Sequence, residues 1–296
     1  MPNFPLSVFR ICTLTAILLS SSCSDNSNRR PGPDSGLPLK INGSTTVNPP
    51  VAEAAEILRS REGLQIQVDT QGGSSGGIST LGEGLVQLGM ASRAIRAEDR
   101  AKFPDCDFRE IRIGEDAVAL IVSRDVWESG VTSISKSEMK GIYEGSITNW
   151  NQLGGEDRKI AFFNKEPGRG TWEVFANWAY GDHHKSPQVS FPEVGGNEET
   201  RNKVSTTRGA ISQLSSSWAD NESVFALGIE TETDETVFPT GANIVSRAYP
   251  MSRPLHLLTN GDPVGSAKVM IDFILGEEGQ QLVRKHGYLA LADLEE

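Results

Sequence analysis

Short β-like runs alternate with helix-like runs from about residue 39 to the C-terminus, and this alternation confines the chain to an α/β architecture with mainly parallel sheets. "LKIN" (39–42) reads as a short strand. Val51, Ala54, Ala55 and Leu58 then fall at helical spacing behind Pro49 and Pro50, which suit a first helical turn. "LQIQVDT" (64–70) alternates as a strand, "SGGISTLGEG" (75–84) predicts a short helix, and "VQLGMAS" (86–92) a further strand. "DAVALIVS" (116–123) is apolar and β-branched, the pattern of a buried parallel strand. "SKSEMKGIYEG" (135–145) opens on Ser and closes on Gly, as a capped helix does. "KIAFFNK" is a strand, "TWEVFANWAYG" a helix ending at Gly181, and 265–287 is helical with a break near Gly276. The acidic stretch 222–238 reads as a strand followed by surface loop.

With 296 residues there is room for one large domain or two ordinary ones. The formal charge of -11 argues against non-specific nucleic-acid binding and a basic membrane-surface patch. It leaves room for a small anion site, because clustered N–H groups and one or two cations outweigh a distant, salt-screened field. The cysteines are Cys12, Cys23 and Cys106, too few and too scattered for a disulfide framework or a zinc site. None of His183, His184, His256 and His286 has metal-ligand spacing, and "GDHH" (181–184) reads as exposed loop. No metal or cofactor is expected.

The N-terminus reads as an export signal. Arg10 precedes a short apolar run from Ile11 to Leu19, too short to span a bilayer, and Cys23 follows small residues. Residues 1–23 thus resemble a bacterial lipoprotein signal with Cys23 as the lipidated residue, although Ser20 stands where Leu is usual. Residues 24–36, rich in Ser, Pro and Gly, read as a flexible tether. The expected location is the periplasm or cell surface, held to a bacterial membrane by the lipid.

Four windows share one construction, a strand end followed by small residues that carry hydroxyls or glycine. They are "NGSTTV" (42–47), "GGSSGG" (72–77), "ASRA" (91–94) and "EPGRGTW" (166–172). Each offers helix N-terminal N–H groups, hydroxyl donors or a guanidinium, and open α/β sheets bind ligands at the carboxyl ends of their strands. Together they point to one convergent site for a dehydrated tetrahedral oxyanion.

"INGSTTVNPPVAEAAEIL", "GGSSGGISTLGEGLVQLGMASRAI", "SITNWNQLGG", "GRGTWEVF" and the segment from "RPLHLLTNGDPVGSAKV" to "HGYLAL" resemble, in order, the solute-binding subunits of bacterial phosphate ABC transporters. The resemblance covers nearly all of 39–292. It implies the type II periplasmic-binding-protein fold, with two α/β lobes closing on the anion. One lobe would comprise 37–118 with 248–296, the other 119–247. It implies a monomeric, non-enzymatic protein that passes inorganic phosphate to permease subunits. A phosphate or sulfate-like sensor uncoupled from transport is the alternative.

Carried over window by window, the resemblance implies ligand contacts from Ser44, Thr45, Thr46 and the N–H of Val47, from Ser74 and Ser75, and from Ser92 and Arg93. Some family members have an aspartate at the place of Arg93 to accept the phosphate's proton. Asp116 is either a substitute acceptor or a strand-start residue. In the fourth window Lys165 stands for the family's arginine and Arg169 for its serine, while Gly170 and Thr171 match. Lysine lacks the planar fork of arginine, so either Arg169 has taken over the guanidinium role or it points to solvent. "GAISQLSSSW" (209–218) also departs from the family's usual pattern. Trp150, Trp172 and Trp178 are expected to pack, since phosphate offers no apolar face to stack on. A serine nucleophile at Ser44 or Ser75 would need a base, and no histidine is near either in sequence.

Overall fold

The computed structural model describes residues 38–233 and 235–295. The expected signal (1–23) with Cys23, and the tether (24–36), lie outside them. The chain begins β1 (Leu39–Gly43), α1 (Asn48–Glu62), β2 (Ile66–Asp69), α2 (Gly73–Gly82), β3 (Leu88–Ala91) and α3 (Ala97–Lys102). The long β4 (Phe108–Ser123) follows, then α4 (Arg124–Glu128), β5 (Ser133–Ser135), α5 (Lys136–Glu144), β6 (Ala161–Lys165) and α6 (Gly170–Tyr180). Next come β7 (Glu193–Val194), α7 (Asn197–Thr206), β8 (Ala210–Ser215), β9 (Val224–Ala226), β10 (Gly228–Glu230), β11 (Thr236–Val237) and α8 (Gly241–Val245). β12 (Ser252–Asn260), α9 (Gly265–Leu275) and α10 (Glu277–Lys285) complete the fold.

The main sheet runs β2-β1-β3-β12-β4-β8-β6-β7, with β9 also on β4, and a smaller sheet runs β11-β10-β5. β1 is parallel to β2 and β3, and β6 is parallel to β7 and β8. The antiparallel pairs of the main sheet all involve β4 or β12. β4 meets β12 over residues 108–117 and β8 over residues 118–122. One strand therefore serves both halves of a two-lobed α/β fold. Each half has its own core. Val51, Leu58, Met90, Leu257 and Ile271 belong to one, and Tyr143, Trp150, Phe162, Phe175 and Ile211 to the other.

"DAVALIVS" is a buried strand, but it is antiparallel to β8, β9 and β12 rather than parallel. A continuous apolar run reports burial on both faces and carries no information on strand direction. The stretch 222–238 is also more ordered than a strand and loop. It holds β9, β10 and β11, the last two paired antiparallel. Helix 265–287 does break at Gly276, which ends α9 and caps α10. Trp150 and Trp172 are buried and Trp178 packs against the same core, with the Trp150 indole N–H on the Gly209 carbonyl at 2.9 Å. Cys106 is free and buried. Among the described residues no helix is long and apolar enough to cross a membrane, and no group of ligands could hold a metal ion.

The strand ends are brought close by glycine. Gly43 has φ +140°, and a Cβ there would lie 2.1 Å from the Met90 carbonyl oxygen. Only glycine lets β1 finish against β3 and hand its next residue, Ser44, to that same carbonyl through a 2.9 Å N–H bond.

Candidate functional site

A small, tight cleft, partly open to solvent, lies where the strand ends converge. Ser44, Thr45, Thr46, Gly73, Ser74, Ser92, Lys165, Arg169, Gly170, Thr171, Gly195 and Asn197 line it. Ser92 follows β3 and Lys165 ends β6, while the others stand at or just before the starts of α1, α2, α6 and α7. Four helix N-termini thus aim partial positive charge at one small volume. The start of α6 comes closest to the hydroxyls. A Cβ on Gly170 would sit 2.5 Å from Ser74 Oγ and 2.7 Å from Ser92 Oγ. Arg169, the residue before the helix, has extended backbone and no side-chain cap bond, so it leaves the first-turn N–H groups uncapped.

The hydroxyls form a directed relay. The backbone N–H groups of Thr46 and Val47 donate to Ser44 Oγ at 3.2 and 3.4 Å. Ser44 in turn donates to Ser92 Oγ at 3.0 Å. Ser92 Oγ lies 3.2 Å from Ser74 Oγ, which also accepts the Ser92 N–H at 3.1 Å. Thr46 Oγ1 accepts from the Asn197 amide at 3.1 Å.

Beneath the hydroxyls lies Arg253, which the sequence analysis did not single out. Its Nη1 donates to Thr171 Oγ1 at 3.0 Å and to Ser92 Oγ at 3.3 Å, and its Nη2 to Thr46 Oγ1 at 3.1 Å. Its Nε and Nη2 hold Asp116 Oδ2 at 3.0 and 2.7 Å. Asp116 therefore faces Arg253, with Ser216 on its other oxygen at 3.2 Å, and does not line the cavity. A signal for Arg253 was present: a single arginine in an apolar run on a strand needs a buried carboxylate partner. Asn197 was also missed, because "GGNEET" carries no hydroxyl at its strand end.

Lys165 is 1% exposed. Its Nζ donates to the Gly195 and Gly196 carbonyls, each at 3.0 Å, and to Thr200 Oγ1, with Asn197 Oδ1 at 3.4 Å. Burial first, then the Arg169 and Arg253 charges, lowers its pKa well below the usual lysine range. Lys165 thus pins the start of α7 from below. Arg169 turns into the cavity, with its Nε and Nη2 on Glu166 Oε2 at 3.0 and 2.7 Å. Glu166 is 43% exposed, so this partner sits at the solvent side.

Ser75 and Arg93 face another way. Ser75 Oγ donates to Glu173 Oε1 at 3.0 Å. Arg93 pairs with Glu173 and with Asp99, and Glu173 also takes Arg96 Nη2 at 2.7 Å. This charged cluster fastens β3 and α3 to α6 beside the cavity. Neither residue lines the cavity, and Val47 contributes its N–H to Ser44 rather than a lining atom. His184 contacts Glu98 at 3.0 Å, so "GDHH" pairs with a carboxylate across the surface. A larger groove lined by Leu81, Val86, Pro263 and Val264 lies beside the start of β1, at the opposite end of that strand from Ser44.

A family model for the PBP superfamily domain matches residues 25–278. The phosphate-binding protein PstS of Bacillus subtilis is 32% identical over 262 residues, covering 86% of this chain and 81% of that protein. PstS of Borreliella burgdorferi is 28% identical, covering 86% of this chain and 90% of that protein. Among solved structures, a Clostridium perfringens protein described as a phosphate ABC transporter substrate-binding protein with bound phosphate superposes with a TM-score of 0.76 at 30% identity. It matches 86% of this chain and 100% of its own. An ABC-type phosphate transport receptor from Vibrio cholerae gives 0.66 at 27% identity, covering 85% and 99%.

Proposed function

The chain belongs to the PBP superfamily and, within it, to the PstS phosphate-binding proteins, and from this premise we propose that it captures inorganic phosphate and delivers it to the permease of an ABC transporter. The observation that carries this reading is the convergence of four helix N-termini, the Ser44–Ser92–Ser74 hydroxyls and the Arg169 guanidinium on one small cavity, with buried Arg253 beneath the hydroxyls. A dehydrated tetrahedral anion finds donors on every side there, at little cost in newly buried charge.

The direct ligands are the hydroxyls of Ser74, Thr46 and Thr171, Thr45, the first-turn N–H groups of α6, and the Arg169 guanidinium. Arg253 and Lys165 act one layer below and hold these donors in place. The lobes are residues 37–118 with 248–296, and 119–247. They close on the anion about β4 and the return into β12. No histidine lines the cavity among the described residues. Lipidation of Cys23 holds the chain outside the cytoplasmic membrane as a monomer.

Calorimetry on the full chain, stripped of ligand by unfolding and refolding, tests the reading. One phosphate is expected to bind per chain, with a rise in Tm. Absence of both heat and thermal shift at millimolar phosphate overturns it.

A further inference from the structure

The cavity presents donors and withholds acceptors. Among the described residues its lining includes no aspartate or glutamate. The carboxylates around it are engaged. Asp116 holds Arg253 and Ser216, Glu166 holds Arg169, and Glu199 accepts the Gly195 N–H at 2.9 Å. Glu173 is committed to Ser75, Arg93 and Arg96. The Gly195 and Gly196 carbonyls and Asn197 Oδ1 are taken by Lys165.

The hydroxyls are polarised the same way. Thr46 Oγ1 already accepts from Arg253 and Asn197, and Thr171 Oγ1 accepts from Arg253. Ser92 Oγ accepts from Arg253 and Ser44, which directs its own proton to Ser74 and the Ser74 proton into the cavity. Arginine can only donate, so Arg253 fixes the proton direction of every hydroxyl it touches. The Thr45 hydroxyl and the second lone pair of Thr171 Oγ1 can accept, but as neutral groups they do so about half as strongly as a carboxylate.

From this accounting, and resting on the oxyanion reading above, we infer that the site selects tetrahedral dianions by their lack of protons. It takes HPO₄²⁻ over H₂PO₄⁻ and admits the proton-free sulfate dianion. The single proton of HPO₄²⁻ can point out through the open side of the cavity. The second proton of H₂PO₄⁻ must meet a donor, which leaves two hydrogens opposed in a desolvated site.

The test is calorimetric titration of the stripped full chain with phosphate and with sulfate from pH 5 to pH 8.5. Two pH units below the second ionisation of phosphate only about 1% of it is dianion, so its apparent affinity there is expected to be ~100-fold weaker. Sulfate keeps its charge over this range. It is expected to compete within about tenfold of phosphate at high pH, and its affinity should change less than threefold between the two ends. Phosphate binding that sulfate cannot displace at thousandfold excess overturns the inference and leaves the phosphate reading standing. Parallel loss of both anions at low pH also overturns it, since the protein would then be what titrates. If neither anion binds at any pH, reading and inference fall together.

Discussion

Arg253 and Asp116 face each other across neighbouring antiparallel strands, paired in register on β12 and β4, and both side chains are 1% exposed. Two guanidinium nitrogens fork onto one carboxylate oxygen, which frees the rest of the fork for Thr46, Ser92 and Thr171. The pair thus ties hydroxyls from separate stretches of sequence to one fixed charge.

Arg253→Met leaves Asp116 buried without its cation. Such a change costs about 3–5 kcal/mol. The double variant Arg253→Met/Asp116→Asn is expected to regain most of that stability in urea unfolding, because no unpaired charge remains. It should still bind phosphate at least ~100-fold more weakly, since Thr46, Ser92 and Thr171 lose their common donor. Recovery of binding together with stability would show the pair to be structural only.

Arg169→Ser restores the residue that the family resemblance places there. The Arg169–Glu166 pair is partly exposed and contributes at most about 1 kcal/mol, so Tm should barely move. Loss of a charge-assisted bond to the anion, about 1.5–3 kcal/mol, should weaken phosphate binding roughly 10- to 100-fold. Unchanged affinity would make Arg169 a bystander.

Gly170→Ala puts a methyl within 2.5 Å of Ser74 Oγ and 2.7 Å of Ser92 Oγ, both buried. Overpacking of this kind costs about 1–3 kcal/mol. Phosphate affinity is expected to drop more than tenfold, because α6 must retreat from the hydroxyls. Calorimetry beside thermal unfolding separates the two effects.

Asp99 responds to acid. Burial alone would raise its pKa, but Arg93 and the Arg96 N–H outweigh this and hold it below its ordinary 3.8. The unfolded chain therefore takes up the proton first as pH falls. The stabilisation is present above pH 3.8 and lost as pH drops through the folded value. Asp99→Asn should be less stable than the parent at pH 7, with the gap shrinking toward pH 3 in denaturant titrations.

What the sequence disclosed followed from how local each signal is. The glycine and hydroxyl windows are local features of strand ends, and Ser44, Thr46, Ser74, Ser92, Arg169, Gly170 and Thr171 lie around one cavity. Helix ends at Gly145, Gly181 and Gly276 were readable for the same reason. For Arg253 the lone arginine in an apolar run signalled a buried ion pair, but its place beneath the hydroxyls was not readable, because it depends on β12 pairing with β4 across more than a hundred residues. Arg93 and Ser75 sit in the right windows, yet Glu173 on α6 draws them aside. A window fixes where a backbone ends, while the partner that turns a side chain comes from elsewhere in the chain. The direction of β4 was hidden likewise, since apolar content shows burial alone.

The most direct measurement is a crystal structure of the stripped full chain soaked with phosphate. The account predicts one anion in the cavity, within hydrogen-bond reach of Ser74, Thr46, Thr171, the N–H groups that start α6 and Arg169, with Arg253 still on Asp116. An anion held instead by Arg93 and Ser75, or an empty cavity with phosphate bound elsewhere, would contradict it.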